Sequence, residues 1–119
     1  MTLSKAMAFG TVLGLLGGAA QAADAPAAFK ACQTCHKIEA GAKLMGPSLF
    51  GIVGRKAGSV ADFGYSDAMK NSGITWDDEH LKAFIADPKA SLPGTKMVFA
   101  GLKKPDEVAA VVDFLKTLK

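Results

Sequence analysis

The sequence predicts an all-α fold of short helices joined by glycine-rich loops. Helix start and stop signals recur at short intervals, and the apolar residues near the C-terminus recur at helical spacing. The stretch over residues 37–64 is rich in glycine and keeps the period of neither a helix nor a strand. The apolar side chains are too few to fill a core by themselves, so a large apolar cofactor is expected to supply the rest.

Residues 1–22 differ in composition from the rest of the chain. They read MTLSKAMAFGTVLGLLGGAAQA, with one charge at Lys5, an apolar run and the small-x-small ending AQA. This is the three-part pattern of a secretory signal peptide. Glycines break the apolar run, which is shorter than the roughly 20 residues of a spanning helix. We expect cleavage that leaves residues 23–119 as one domain in the periplasm; an uncleaved membrane anchor is the alternative.

Two short helices are predicted on either side of the glycine-rich stretch. The first covers residues 27–35, because Pro26 suits a first helical turn. The second covers residues 66–72 and is stopped by Gly73. The stretch between them is expected to be an ordered loop or several turns, because a loop this long in a small domain needs something to pack on.

Two further helices are predicted towards the C-terminus. The segment TWDD at residues 75–78 resembles a capping box, and its helix is ended or bent at Asp87-Pro88. Residues 92–104 are again irregular. Pro105 opens the last helix, which has acidic residues in its first turn and lysines in its last, as the helix dipole favours.

The charge of the chain is modest. The formal net charge is +3, and removal of the leader with Lys5 lowers it to +2. No basic run is interleaved with aromatic residues, so the sequence predicts no nucleic-acid partner.

The motif ACQTCH at residues 31–36 holds both cysteines of the chain and one of its two histidines. A thiol redox site would follow a strand in a βαβ pattern, and no strand-like segment precedes this motif. A structural zinc site needs two more ligands, and His80 alone cannot complete it. A disulfide across two intervening residues would stabilise little.

Covalent haem attachment uses every chemical group of this motif. Cys32 and Cys35 lie three positions apart, so in a helical turn both sulfurs reach one ring edge and form thioethers. His36 then places an imidazole nitrogen on the iron. Attachment takes place outside the cytoplasm, which agrees with the signal peptide. The sequence therefore predicts one covalently attached haem c per chain.

The second axial ligand separates an electron carrier from a catalyst. Met97 is favoured, because the turn PGTK before it would let it approach the face opposite His36. Met45 is close to His36 in sequence and would have trouble reaching that face. His80 is better explained as an exposed residue of an amphipathic helix. Met69, on a short helix, is the closest rival.

The chain resembles the class I c-type cytochromes, of the short cytochrome c2 and mitochondrial cytochrome c kind. The resemblance runs from residue 29 to residue 118. It is carried by four segments: CQTCH (32–36), GPSLFGIVGRKAG (46–58), YSDAMKNSGITW (65–76) and PGTKMVFAG (93–101). It implies a small cytochrome c fold of short helices and glycine-rich loops around one covalent haem, with Phe29 and Phe114 packed where the first and last helices cross.

The resemblance also implies a set of site residues. Cys32 and Cys35 would hold the haem, and His36 and Met97 would ligate the iron, where the weak thioether favours the ferrous state. The Pro47 carbonyl would accept the other ring N–H of His36. The haem propionates, whose partly buried charges need donors, would be reached by Arg55, Tyr65, Trp76 and Thr95.

Two positions depart from the pattern of the family. Phe84 stands where many relatives have a tyrosine whose hydroxyl donates to the methionine sulfur. Met69 stands where relatives often have an asparagine that holds a buried water. Both changes are expected to make the Met97 side of the haem drier and less polar.

The implied function is single-electron transfer by a monomeric periplasmic carrier that cycles between Fe(III) and Fe(II), and is not an enzyme. Filled axial positions leave substrate and oxygen no easy access to iron. The alternatives are a haem enzyme or gas sensor with a labile methionine, and the same carrier tethered to the membrane.

The resemblance also implies redox partners with acidic docking patches. They are a cytochrome bc1 complex, a cytochrome c oxidase, a photosynthetic reaction centre or a periplasmic dehydrogenase. Docking is expected to use lysines that flank residue 97, which would steer association. These are Lys89, Lys96, Lys103 and Lys104, with Lys30 and Lys43 as further members.

Overall fold

A computed structural model of the chain describes residues 24–119, so the signal peptide predicted over residues 1–22 lies outside the described residues. Helices are the only regular elements in this range. They are a 3₁₀ turn at Ala27–Phe29, α1 at Lys30–Gln33, α2 at Asp67–Lys70, α3 at Asp78–Ala86, α4 at Pro88–Ser91 and α5 at Pro105–Leu115. Lys56 and Thr75 form an isolated antiparallel bridge. The all-α prediction is confirmed. Within residues 24–119 no helix has the length and apolar character needed to cross a membrane.

The helix boundaries follow local capping chemistry. Ser66 caps α2, since its side chain accepts from Met69 N. α3 is capped by Asp77, whose carboxylate accepts from His80 N at 2.8 Å, so the predicted cap at Thr75 lies two residues too early. The predicted end of α3 before Pro88 is correct, but Pro88 also opens α4, which the sequence reading missed.

The core is built by the first turn, α3 and α5, which pack together. Phe29 is fully buried and meets Phe114 edge-to-face, with ring centroids 4.7 Å apart. Burial of one such side chain is worth about 1.5–3 kcal/mol. The buried face of α5 consists of Val108, Val111, Val112, Phe114 and Leu115. Four of these residues belong to the apolar stripe expected from helical spacing; its fifth member, Leu118, is buried beyond the end of α5, and Phe114 was not part of it.

The glycine-rich stretch is an ordered loop that backbone hydrogen bonds attach to the rest of the domain. Gly54 N donates to Trp76 O at 2.8 Å, and Ala57 N donates to Ile74 O at 2.8 Å. Gly51 N donates to Leu118 O at 2.6 Å, beyond the end of α5. The loop therefore has a fixed position beside the helical core, as the sequence predicted.

Candidate haem site

A cavity of about 480 Å³ opens between side chains of the helical core and the two long loops. This volume falls in the range of small-molecule sites, roughly 300–1,000 Å³. All the site residues expected from the sequence line it: Cys32, Cys35, His36, Pro47, Arg55, Tyr65, Trp76, Thr95 and Met97. Core residues form an apolar wall, among them Phe29, Leu81, Phe84 and Leu115.

Both cysteines reach the cavity from the turn that ends α1. Cys32 O accepts from Cys35 N at 3.2 Å and from His36 N at 2.9 Å, so the three motif residues form one helical turn. Burial, and secondarily the nearby Cys35, raise the pKa of Cys32 to about 11. Redox cysteines instead have a lowered thiol pKa. The two cysteines also line one cavity from a single helical turn, which is the placement that attachment to one ring edge requires.

The His36 imidazole is oriented by the backbone of the next loop. Nδ1 donates to Pro47 O at 2.7 Å. Burial lowers the pKa of His36, while the Pro47 bond acts in the opposite direction. A neutral imidazole whose Nδ1 proton is already bonded presents its Nε2 lone pair, which is the arrangement of a metal-ligating histidine.

Gly46 is a functional position that the sequence reading did not assign. A Cβ at this residue would lie 2.3 Å from Cε1 and 2.6 Å from Nδ1 of His36. Gly46 N also donates to Cys35 O at 2.8 Å. The ring therefore lies directly against the backbone of this residue, and only glycine leaves room for it. The sequence signal is the pair Gly46-Pro47, which opens one of the four segments that carry the family resemblance and predicts a turn but no contact with His36.

Arg55 holds the loop that follows Pro47. Both terminal guanidinium nitrogens donate to Ser48 O at 3.0 Å, and Nη2 also donates to Phe50 O at 2.5 Å. Ser48 is buried, and its Oγ donates to Glu39 O at 2.6 Å. The resemblance implied only a role towards the propionates for Arg55. Its bonds to backbone carbonyls could not be predicted, because every residue type carries such a carbonyl.

The other three polar side chains of the expected site are spread around the cavity. Tyr65 OH accepts from Val60 N at 3.2 Å, which leaves its own proton free to donate. Trp76 is buried, with its ring 5.1 Å from that of Phe84. Thr95 Oγ1 accepts from Met97 N at 3.3 Å, so it also shapes the loop that carries the methionine.

The candidates for the second axial ligand occupy different places. Met97 is half-buried in the loop between α4 and α5, and Met69 lies on α2; both line the cavity. Met45 also borders it, but its side chain is 79% exposed. His80 is exposed at the start of α3, with Nδ1 2.7 Å from the Asp77 carboxylate, and does not line the cavity.

The donor set fits a haem. Two thiols, a neutral imidazole and a thioether meet in one cavity with an apolar wall. The family profile described as Cytochrome c matches residues 22–119. The chain belongs to the cytochrome c family. It is a haem c electron carrier with one covalently attached haem, and not an enzyme.

Individual relatives place the chain among the class I, cytochrome c2-like members. It is 57% identical over 97 residues to cytochrome c2 iso-2 of Magnetospirillum molischianum, covering 82% of this chain and 100% of that one. It is also 57% identical over 97 residues to cytochrome c2 of Rhodoplanes tepidamans, covering 81% and 99%. The structure of cytochrome cH from Methylobacterium extorquens is similar, with a TM-score of 0.71 and 49% identity, over 76% of this chain and 91% of that chain.

The lysines expected at the docking surface of this cytochrome c are exposed, but they differ in their contacts. Lys96 borders the cavity itself. Lys103 Nζ donates to two backbone carbonyls, those of Ala86 and Ala100. Lys89, Lys96, Lys103 and Lys104 all have exposed side chains.

Proposed function

We propose that the chain is a periplasmic single-electron carrier whose haem iron is ligated by His36 and Met97. The observation that carries this proposal is the convergence of every expected site residue on one cavity, from α1 and from the segments that follow α1, α2 and α4. Residues 23–119 would be the mature domain, released as a monomer after cleavage of the signal peptide at residues 1–22.

The axial side chains have distinct roles in the proposal. Bound haem c supplies a one-electron Fe(III)/Fe(II) couple. The bond from His36 Nδ1 to Pro47 O orients the imidazole and makes Nε2 a better donor. The Met97 thioether is a weak ligand that favours the ferrous state and so raises the potential. With both positions filled, electrons would pass through the exposed haem edge.

The polar residues would compensate the charged edge of the cofactor. Tyr65, Trp76 and Thr95 each carry a donor group and line the cavity. Donors at this position would offset the lost hydration of the propionates. Arg55 would add positive charge there, while its three hydrogen bonds hold the loop beside His36.

The partners proposed for this carrier are redox proteins with acidic docking patches. A cytochrome bc1 complex would be a donor. An oxidase or a photosynthetic reaction centre would be an acceptor, and a periplasmic dehydrogenase is a further candidate. Exposed lysines that flank residue 97 would steer these encounters, which raises association rates more than affinity. They are Lys89, Lys96, Lys103 and Lys104.

Spectra of the purified protein test the ligation. We expect a low-spin ferric haem with a weak near-infrared band from sulfur-to-iron charge transfer. Met97→Ala should abolish this band and let the reduced protein bind carbon monoxide. The control is Met69→Leu, which removes the other half-buried thioether of the cavity and should leave the band unchanged.

A band that survives Met97→Ala and disappears in Met69→Leu would assign the ligand to Met69. Ready carbon monoxide binding by the unmodified protein would favour a haem enzyme or gas sensor.

Mass spectrometry of the mature N-terminus tests export. A chain that begins close to residue 23 supports cleavage and a periplasmic location. A chain that retains residues 1–22 would indicate a membrane-tethered carrier instead.

A further inference from the structure

Three consecutive residues of the Met97 loop meet the C-terminal end of α3. Gly101 has a φ of +102°, and a Cβ on it would lie 2.0 Å from Ala86 O. Leu102 N donates to Ile85 O at 2.9 Å. A side chain at residue 101 would prevent this approach twice over, by its clash with Ala86 and by the left-handed backbone.

Lys103 extends the same contact through its side chain. Its Nζ donates to Ala86 O at 3.2 Å and to Ala100 O at 2.8 Å. The last carbonyls of a helix lack partners within the helix and form the negative end of its dipole. No residue in the last turn of α3 is basic. Lys103 therefore supplies from the loop the cation that α3 does not supply itself.

α3 is also a wall of the haem cavity. Leu81, Phe84 and Ile85 are buried residues of this helix, and all three line the cavity. A contact that fixes the loop to Ile85 and Ala86 therefore fixes it relative to one wall of the cavity that Met97 also lines. At the other end of the loop, Thr95 N donates to Leu92 O at 3.1 Å. This bond closes a turn within the loop and does not attach the loop to α3.

We propose that residues 101–103 form a clasp that holds the Met97 loop on the end of α3, and that Lys103 is a positioning residue for Met97. The role towards Met97 rests on the ligation proposed above. Lys103 keeps its positive charge and still contributes to the field around the haem edge. Its distinguishing role is local, because its ammonium group joins the loop to the helix.

The neighbouring lysine provides a matched control. Lys104 is also exposed, and its side chain forms neither a hydrogen bond nor an ion pair with residues 24–119. Lys103→Gln and Lys104→Gln thus remove the same charge from adjacent positions. Only the first removes bonds to the end of α3, so any difference between the two variants reports the clasp and not the charge.

Hydrogen exchange at the Leu102 amide of the haem-loaded protein tests the clasp directly. Because the Lys103 side chain is exposed, water screens its charge and its bonds are worth no more than ordinary ones. Their loss should raise the exchange rate of this amide about three- to tenfold, while Lys104→Gln should leave it unchanged. Equal exchange rates in the two variants would overturn the clasp. Gly101→Ala should raise the exchange rate of the Leu102 amide more, because its methyl group would clash with Ala86 O. An unchanged rate in that variant would also overturn the clasp.

The near-infrared band tests the consequence for Met97. We expect Lys103→Gln to lose the band at a lower denaturant concentration than Lys104→Gln, with a matching three- to tenfold change in the equilibrium for its loss. Identical midpoints would show that Lys103 does not position Met97. If the unmodified protein lacks the band, the proposed ligation fails and this positioning role fails with it. The Leu102 exchange rate still decides whether the clasp exists.

Discussion

The two axial sides of the haem site are built differently. His36 is held by a side-chain bond to Pro47 O and lies against Gly46, and Arg55 fastens the loop behind it through carbonyl oxygens. Met97 itself donates its backbone N–H to Thr95 Oγ1 at 3.3 Å, and the next residue, Val98, is 91% exposed. The bonds that attach this loop to the core lie five and six residues further on, at Leu102 and Lys103.

This difference matches the strengths of the two donors. An imidazole with a bonded Nδ1 is a strong ligand, and the backbone orients it before any metal is present. A thioether is a weak ligand, so small changes in the position of its loop are expected to alter the Fe–S bond. Changes on the His36 side should therefore affect the stability of the whole domain, and changes on the Met97 side should affect mainly the spectrum and the potential.

The largest effect is expected at Gly46. In Gly46→Ala the new methyl group overlaps the His36 ring, so the ring or the backbone must move. We expect the free energy of unfolding of the haem-loaded protein to fall by about 3 kcal/mol, near the upper end for an overpacked site. Guanidinium unfolding measures this loss. The control is Gly64→Ala. Gly64 also lines the cavity, but a Cβ on it meets no atom of residues 24–119 within 4 Å apart from its chain neighbours. Similar losses in both variants would refute the role given to Gly46.

A smaller loss of stability is expected from Arg55→Gln. The change removes three hydrogen bonds to Ser48 O and Phe50 O and leaves these carbonyls without their donor. We expect the free energy of unfolding to fall by about 2 kcal/mol, since bonds from a charged group are worth roughly 1.5–3 kcal/mol. Lys56→Gln removes the same charge from the next, exposed position. If it costs as much as Arg55→Gln, the effect is electrostatic and the loop is held by other contacts.

The two sides also differ in what the sequence could predict. The thiols, His36 and Met97 were predicted to share one site because their chemistry is specific and their local patterns, CxxCH and the PGTK turn, are short. All four residues line the cavity. The face of α5 was predicted because helical spacing repeats within one element. Both kinds of signal lie within a few consecutive turns of chain.

Two of the missed features depend on contacts between separate segments. The role of Gly46 depends on its contact with the ring of His36, ten residues earlier. The role of Lys103 depends on its bond to Ala86 O at the end of α3, 17 residues earlier. No spacing rule encodes these two approaches, since they follow from how the loops lie on the core. α4 was missed for a local reason: Asp87-Pro88 both ends one helix and begins the next, with the Asp87 side chain accepting from Ala90 N.

On the Met97 side, Phe84→Tyr should shift the reduction potential with little loss of stability. Phe84 is buried in the cavity wall beside Trp76. The resemblance to the family implies at this position a tyrosine whose hydroxyl donates to the methionine sulfur. A neutral hydrogen bond worth about 0.5–1.5 kcal/mol corresponds to a rise of about 20–60 mV for one electron. Redox titration measures the shift. Phe63→Tyr adds the same group elsewhere in the cavity and should have a smaller effect; an unchanged or lower potential in Phe84→Tyr would contradict the prediction.

The smallest effect concerns how the free energy of unfolding depends on pH below about 4, through the Asp77 cap of α3. Residues of α3 line the same cavity as Met97. The bonds from His80 N and the His80 side chain lower the pKa of Asp77 below its usual 3.8. A depressed carboxyl pKa adds stability above the unfolded value, and this stability is lost as the pH falls through the folded value. Asp77→Asn keeps a capping oxygen but cannot titrate, so its stability should depend less on pH below about 4. Thermal unfolding of both proteins between pH 2 and 6 measures the difference, and parallel curves would mean that the cap does not contribute to acid unfolding.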